Sequence, residues 1–584
     1  MNGGVRVRGY RIVARAYLVL MVLAFAASAL MVRAIDVQVL RSDFYQSQGD
    51  ARHLREIAIP ISRGAILDRN GEPLAMSSPV DSLWVNPRAL IADPTAVARL
   101  AEAIGAPLTD LDEQIRSRAD REFLWIRRHL PPHEAEAILE RKIPGVHVQR
   151  EFRRFYPGGE AFAHVIGSTD IDGVGREGLE LVYDAWLSGK PGSQRVLRDR
   201  LGRVIEVVER VRAPEPGRDL VLSLDRRLQY LAYRELKRAL LEHGAASGSI
   251  VVLDVGNGEV LAMVNLPSYN PNSRQAVDAA FRRNRAVTDV FEPGSVIKPF
   301  TVLAGLESGR FQPDSVIDTS PGRLPIARHV VRDIRNFGRL DLPGLLAKSS
   351  NVGAVKIAQA VPDEDFHHLL RRFGFGQATG SGFPGESGGI LNPPRQWHGL
   401  EKATLSYGYG LSATALQLAQ AYAALGNEGR LRAPTFLRGE HNPEVSVIDP
   451  ALARRMVEML EGVTRPGGTA QLAGIPGYRV AGKTGTSRRA VPGGYDSRYI
   501  SVFAGLVPAS RPRLAGVIVI HDPRGAHYYA GLVAAPVFGR VMTEAVRLYA
   551  IPPDDPGRLA TIAPGRSEES SLESVVEAPI EGPP

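Results

Sequence analysis

Cysteine is absent from the 584 residues. Its absence excludes disulfides, thiolate metal sites and a cysteine nucleophile, and it suits a compartment where stray thiols oxidise. Lysine is nearly absent too: of 71 basic residues, 63 are arginine and eight are lysine. There is no block of one charge sign. The formal net charge of +8 comes from arginines spread along the chain, which argues against a nucleic-acid surface, where basic residues cluster with aromatics. Long apolar runs are missing after the first forty residues, and there is no internal repeat and no metal-ligand spacing. What remains, 44% hydrophobic and 23% charged residues, is the composition of a globular protein. The length calls for two or more domains.

The one long apolar run, Ala16 to Val32, carries no charge and lies between Arg15 and Arg33. As a helix its 17 residues span about 26 Å, enough for a bilayer core of about 30 Å if Ile35 and Val37 contribute. Arg6, Arg8, Arg11 and Arg15 precede it without an acid. The positive-inside rule then predicts a cytoplasmic tail over 1–15, an anchor over 16–37 and everything else across the membrane. Ala27-Ser28-Ala29 resembles a signal-peptide cleavage site. The apolar run continues past it through Leu30, Met31 and Val32, which favours an uncleaved anchor.

Residues 45–218 contain nothing that pairs a nucleophile with a base and read as a non-catalytic module. Arg63 to Ala75 (RGAILDRNGEPLA) has the apolar steps and Asn-Gly turn of a hairpin. Residues 85–145 are patterned as charged helices interrupted by Pro131 and Pro132, and Gln194 to Val211 alternates as strands do. Pro214, Pro216 and Gly217 mark a boundary. Residues 219–550 read as one α/β domain: a helix from Arg226 to Leu241, then a hairpin of Ser249–Asp254 and Glu259–Val264. A helix over Thr414–Leu425 with Gly426 as its cap follows, then strands Arg479–Ser487, Ile500–Val507 and Leu514–His521, and a helix over Ala535–Leu548. Residues 551–584, rich in Pro, Ser and Glu, are expected to be a disordered tail.

Two of the eight lysines sit beside hydroxyl residues, in Ser295-Val296-Ile297-Lys298 and Lys483-Thr484-Gly485-Thr486. Arginine stays charged and cannot act as a base, whereas a desolvated lysine can take a proton from a serine. Ser295 follows Phe291-Glu292-Pro293-Gly294 and opens a helical segment, so Ser295 and Lys298 share a face. The helix start also aims a free amide at the serine oxygen. A lysine with a pKa of about 10.4 must fall by roughly three units to serve as base, which burial and a second cation such as Lys483 could impose. A Ser-x-x-Lys match alone is common. The additional presence of Lys348-Ser349-Ser350-Asn351 between the other two changes its meaning.

In this order the three motifs resemble the signature of serine penicillin-binding proteins and β-lactamases. Supporting segments extend over the chain: RGAILDRNGEPLA, GREGLE at 175–180, RDRLGRVIE at 198–206, YGYGLSATALQLAQAYA at 407–423 and AAPVFG at 534–539. The pattern resembles a class B penicillin-binding protein, most of all the cell-division (septal) peptidoglycan D,D-transpeptidase rather than its elongation counterpart. This implies an α/β transpeptidase domain with an antiparallel sheet flanked by helices. Before it would come a mixed α+β pedestal, of the dimerisation type, and one transmembrane helix. It implies Ser295 as nucleophile, Lys298 as base, Ser349 as proton relay, Asn351 holding the donor peptide amide, and Lys483 sustaining a positive field. Thr484, Gly485 and Thr486 would bind substrate, the two threonines taking the terminal carboxylate, and the amides of Ser295 and Thr486 would form the oxyanion hole. No cofactor or metal is implied. The implied partners are peptidoglycan stem peptides, β-lactams, a membrane glycosyltransferase that polymerises lipid II, and other division proteins.

Rival readings are weaker. Gly385-Glu386-Ser387-Gly388-Gly389 fits a nucleophile elbow but lacks the strand before and helix after that the motif needs. His521, Asp522 and His527 suggest a triad without a matching serine. A β-lactamase would need a water-activating carboxylate, with Glu386 and Glu401 as candidates. A non-turnover scaffold that binds cell-wall peptide is the alternative of another class. The family's Tyr-Tyr-Gly-Gly reads Tyr528-Tyr529-Ala530-Gly531 here, which puts only local backbone freedom in doubt.

Overall fold

A computed structural model describes residues 5–42, 54–198, 204–273, 275–397 and 399–559. Part of the RDRLGRVIE segment, at 199–203, and residues 560–584 of the expected tail lie outside the described residues, as do residues 1–4. The apolar run lies in a helix, α1 (Val5–Ile35), prolonged by a π-helical turn over Asp36–Leu40. The stretch Val13–Leu40 is long and apolar enough to cross a membrane.

The chain divides into two compact units: residues 1–62, 79–152 and 189–216 in one, and 63–78, 153–188 and 217–584 in the other. Two segments from within 45–218 therefore pack with the C-terminal part of the chain. The first unit contains an antiparallel three-stranded sheet of Leu54–Ile59, Gly192–Arg198 and Val204–Arg212, as the alternation at 194–211 predicts. Short helices at Ala96–Ile104, Leu108–Arg116 and Pro132–Glu140 bury Leu100, Leu111, Ile115 and Ile138 in a small core. One expectation fails in this unit. Leu124–Leu130 is a strand paired with residues 81–85, because alternate residues of this arginine-rich run stack on a neighbouring strand rather than on helices.

The second unit is built on a five-stranded antiparallel sheet. Its strands are β1 (Ser247–Asp254), β2 (Val260–Leu266), β3 (Ala481–Val491), β4 (Gly494–Val507) and β5 (Leu514–His521), in the order β2-β1-β5-β4-β3. Strands β1, β2 and β5 are buried almost throughout, which is why they read as continuous Val/Ile/Leu runs without alternation. Against the sheet pack α2 (Arg226–Glu242), α7 (Ala415–Gly426) and α8 (Ala535–Leu548). Between β2 and α7 lie α3 (Lys298–Glu307), α4 (Leu342–Lys348), α5 (Asn351–Ala360) and α6 (Asp363–Arg372). Gly426 is the last helical residue of α7 rather than its cap, a role taken by Asn427. The chain after α8 stays packed through Asp554, whose carboxylate accepts hydrogen bonds from the Arg479 and Ser510 amides, and Ile551 is buried. Order thus extends beyond the expected start of the tail at 551.

The RGAILDRNGEPLA hairpin and the GREGLE segment meet in one buried ion cluster of this unit. Glu180 has no exposed surface and accepts from Arg63 Nε at 2.7 Å and Arg154 Nε at 2.6 Å. Removing one partner of a buried ion cluster leaves the other charges unpaired, at a cost of about 3–5 kcal/mol. Glu180→Ala should therefore destabilise the fold by roughly that amount, read as a lower midpoint in denaturant unfolding, whereas Glu177→Ala in the same segment, with a partly exposed carboxylate, should cost far less.

Candidate active site

Ser295 lies in a 3-10 turn, Gly294–Ile297, that runs directly into α3, with Pro299 tolerated in its first turn. The turn is held by backbone on two sides. The Gly294 amide donates to Gly408 O at 3.0 Å, and the Tyr422 hydroxyl donates to Val296 O at 2.9 Å. A Cβ on Gly408 would lie 1.9 Å from Gly294 O, so this approach requires glycine. On the other side, a Cβ on Gly485 of β3 would lie 2.4 Å from Pro293 O. The glycines of the Tyr-Gly-Tyr-Gly and Lys-Thr-Gly-Thr motifs thus let two backbones close on the serine turn.

Lys298, the first residue of α3, is fully buried. Its Nζ donates to Ser349 O at 2.5 Å, Asn351 Oδ1 at 2.7 Å and Ser349 Oγ at 3.1 Å. Lys483, equally buried on β3, donates from Nζ to the same Ser349 Oγ at 2.9 Å. Two lysine Nζ atoms therefore converge on one hydroxyl. Among the described residues, the Ser295 hydroxyl itself makes no hydrogen bond and stays half-exposed. The nucleophile is presented to the site with its oxygen unengaged.

The placement of Ser349 follows from local chain chemistry. Asp341 caps α4 through Gly344 N, and α4 ends at Ser349 in the left-handed conformation, φ 59°. The amides of Ser349 and Ser350 close the helix on Leu346 O and Leu345 O. Ser350 then caps α5, its Oγ accepting from Gly353 N at 2.9 Å. One residue in a left-handed conformation between two helices aims Ser349 at both lysines.

Burial lowers the pKa of Lys298 to about 7, against an upward pull from the Asp333 carboxylate. Burial and the neighbouring Lys298 charge push Lys483 well below the ordinary lysine range. The two amines share one hydroxyl and titrate as a pair, so protonating either disfavours protonating the other. Burial is the largest cause of the lowering for both amines, and their mutual repulsion acts in the same direction.

Thr484 shares a hydrogen bond of 2.9 Å with the Thr469 hydroxyl, and Thr486 Oγ1 accepts from Ala530 N at 3.0 Å. Ala530 begins a helical turn with ordinary backbone, so the departure from Tyr-Tyr-Gly-Gly leaves that amide in place. Lys298, Ser349, Asn351 and Lys483 are brought into one hydrogen-bonded network, and the Ser295 turn lies against Gly485 and Thr486 of β3. The rival elements lie apart from it. Ser387 is in a loop whose Glu386 is bound by Thr379 and Ser381 through both oxygens. His521 is half-buried with its ring edge-on to Phe291, and desolvation lowers its pKa to about 4.

Sequence reasoning missed Asp333. Its carboxylate accepts from Asn351 N at 2.5 Å, Ser350 Oγ at 2.6 Å and Val352 N at 3.1 Å, tying down the start of α5. Burial pushes its carboxyl up, against the pull of Ser350 and Lys298. It sits in a turn after a two-stranded hairpin, 16 residues before Ser349, with no motif to mark it. Glu292 was visible only as part of a loop. It accepts from Gly410 N at 2.8 Å and Tyr495 OH at 3.1 Å, and burial raises its pKa.

Two family models match the chain, a penicillin binding protein transpeptidase domain over residues 248–543 and a penicillin-binding protein dimerisation domain over 58–222. The chain is a class B penicillin-binding protein. Among its relatives, this penicillin-binding protein is 42% identical to the peptidoglycan D,D-transpeptidase FtsI of Escherichia coli K12, over 92% of its own length and 91% of that protein. It is 41% identical to the probable peptidoglycan D,D-transpeptidase PbpC of Pseudomonas aeruginosa, covering 94% and 97%. Penicillin-binding protein 3 of Mycobacterium tuberculosis, complexed with aztreonam, superposes with a TM-score of 0.67 at 30% identity, covering 86% of this chain and 99% of that one.

Loss of the Asp333 charge should slow labelling by a fluorescent penicillin. Hydrogen bonds to a charged group contribute about 1.5–3 kcal/mol each, so Asp333→Asn is expected to reduce the second-order labelling rate by roughly ten- to a hundredfold, with the far-ultraviolet circular dichroism unchanged.

Proposed function

We propose that this penicillin-binding protein is a peptidoglycan D,D-transpeptidase that cross-links stem peptides through an acyl-enzyme on Ser295. The observation that carries the reading is the convergence of two fully buried lysines on Ser349 Oγ beside an unengaged serine hydroxyl. A pKa of about 7 leaves Lys298 neutral in about half of molecules at neutral pH, whereas an ordinary lysine is neutral in only about one of a few thousand.

In the first half-reaction the neutral Lys298 amine takes the Ser295 proton while Oγ attacks the carbonyl between the two terminal D-alanines. The amides of Ser295 and Thr486 receive the developing oxyanion, at about 3–4 kcal/mol per donor. The C–N bond then breaks, and the proton passes from Lys298 through Ser349 Oγ to the departing amine. Free D-alanine leaves and an ester remains on Ser295. An amine of a second stem attacks that ester and passes its proton to Lys298, which returns it to Ser295 Oγ as the C–O bond breaks. Asn351 holds the donor amide, and the Thr484 and Thr486 hydroxyls, both at the site edge, take the terminal carboxylate. When Lys298 is neutral, relief of repulsion lets Lys483 carry the positive charge of the pair.

β-Lactams acylate the same serine in this reading. The division (septal) role is favoured over elongation by the sequence segments named above. A β-lactamase is disfavoured because Glu386 has both oxygens occupied, and an inert scaffold because no residue of the set is missing. The arginines ahead of the apolar helix favour an orientation with residues 1–15 in the cytoplasm and the rest in the periplasm, anchored in the inner membrane. The partners are a membrane glycosyltransferase that supplies glycan strands and other division proteins.

Intact-mass analysis after incubation with a β-lactam should show a single stable adduct that Ser295→Ala abolishes. Rapid turnover without an adduct would instead mark a hydrolase, and no reaction with the full chain would leave a scaffold. The acylation rate should rise with pH through a midpoint near 7, because the base is the deprotonated form. Lys298→Arg should abolish it, since arginine stays protonated. Asp333→Asn should move that midpoint downward, because it removes the one influence that raises the Lys298 pKa.

A further inference from the structure

Helix α6 carries a side-chain cluster that the acylation chemistry does not use. Glu364, His367 and His368 are spaced i, i+3 and i+4, and one ligand atom from each lies within 4.8 Å of the others. This spacing places a carboxylate and two imidazoles over adjoining turns of one helix face. His367 is buried, its ring edge-on to the Trp397 ring at 6.1 Å and to the His368 ring at 6.1 Å. Among the described residues neither His367 ring nitrogen has a hydrogen-bond partner, so an imidazole fixed by packing keeps its lone pair uncommitted. Glu364 and His368 are largely exposed and approach to 3.8 Å without a hydrogen bond.

Beside this cluster is a cavity of about 480 Å³ lined by Glu364, Asp365, His368 and Arg372 of α6 and by Glu307 and Ser308 at the end of α3. The room exists for an ion with its waters. We propose that Glu364, His367 and His368 form a site for a borderline transition-metal ion, with zinc the expected occupant. Two imidazole nitrogens and one carboxylate oxygen suit zinc, cobalt, nickel or copper, whereas magnesium and calcium take oxygen donors. Zinc holds such ligands at about 2.0–2.2 Å, which brings them to about 3.3 Å from one another in a tetrahedron. Rotation of the two exposed side chains onto the fixed His367 closes the remaining distance. Three protein ligands leave a position for water, open to the cavity.

The test uses the full chain in detergent, free of any histidine tag and stripped of metal, titrated with zinc against a chromogenic chelator. One equivalent should bind, and excess magnesium or calcium should not displace it. Cobalt in place of zinc should give visible absorption of a four- or five-coordinate ion. Glu364→Gln and His368→Ala alter exposed side chains, and each should weaken binding at least about tenfold. Both should keep normal labelling by fluorescent penicillin, which verifies the fold at a separate site. Zinc binding that is unchanged in the double variant Glu364→Gln/His368→Ala, or wild-type protein that binds no zinc, overturns the proposal.

Discussion

Two lysine side-chain amines buried against one serine hydroxyl are the constraint around which the second unit is organised. Neither Lys298 nor Lys483 has exposed surface, and burying a charge without a partner costs several kcal/mol. The structure accepts part of that cost as a lowered pKa and offsets the rest with oxygens: the Ser349 carbonyl, the Asn351 amide oxygen and the Asp333 carboxylate beyond them. For Lys298 the folded state binds fewer protons than the unfolded chain between pH of about 7 and about 10.4, so stability rises with pH across that window. The site is held at the expense of stability, and the apolar sheet beneath it supplies the difference.

Asp333 also has to be read against helix α5. The positive end of that helix points toward the lysines, which by itself would disfavour their charge. A carboxylate on its first amides answers the helix terminus and moderates the field at Lys298 in one contact. Positioning and electrostatics are therefore the same interaction here. Glu292 has a corresponding place on the other side of the serine, bound to Gly410 and Tyr495 rather than to a cation.

Much of this was legible in the sequence, and for physical reasons. The strand Leu514–His521 and the helix Ala535–Leu548 lie within the boundaries expected, because their apolar patterns are long and end in turn residues. The scarcity of lysine made Lys298 and Lys483 conspicuous, and their spacing to Ser295 and Thr486 is local enough to read. Asp333 was not legible, since its partners come from a chain segment 17 to 19 residues away and a single acid in a turn has no pattern. The strand at Leu124–Leu130 was masked by its arginines, and the role of Gly426 by the usual association of glycine with helix ends.

The division of the chain into interleaved segments has a consequence for how it is made. Ile66–Leu67 pairs in parallel with Leu220–Val221, and Glu180 waits between Arg63 and Arg154. Parallel pairing across so many residues closes a long loop and forms slowly. The hairpin at 63–75 therefore emerges early in synthesis but lacks its parallel strand partner until residues beyond 217 follow it. During that interval its edge is open to wrong pairing. Synthesis of the chain is thus also a period of exposure for this edge, one that ends before the serine site is complete.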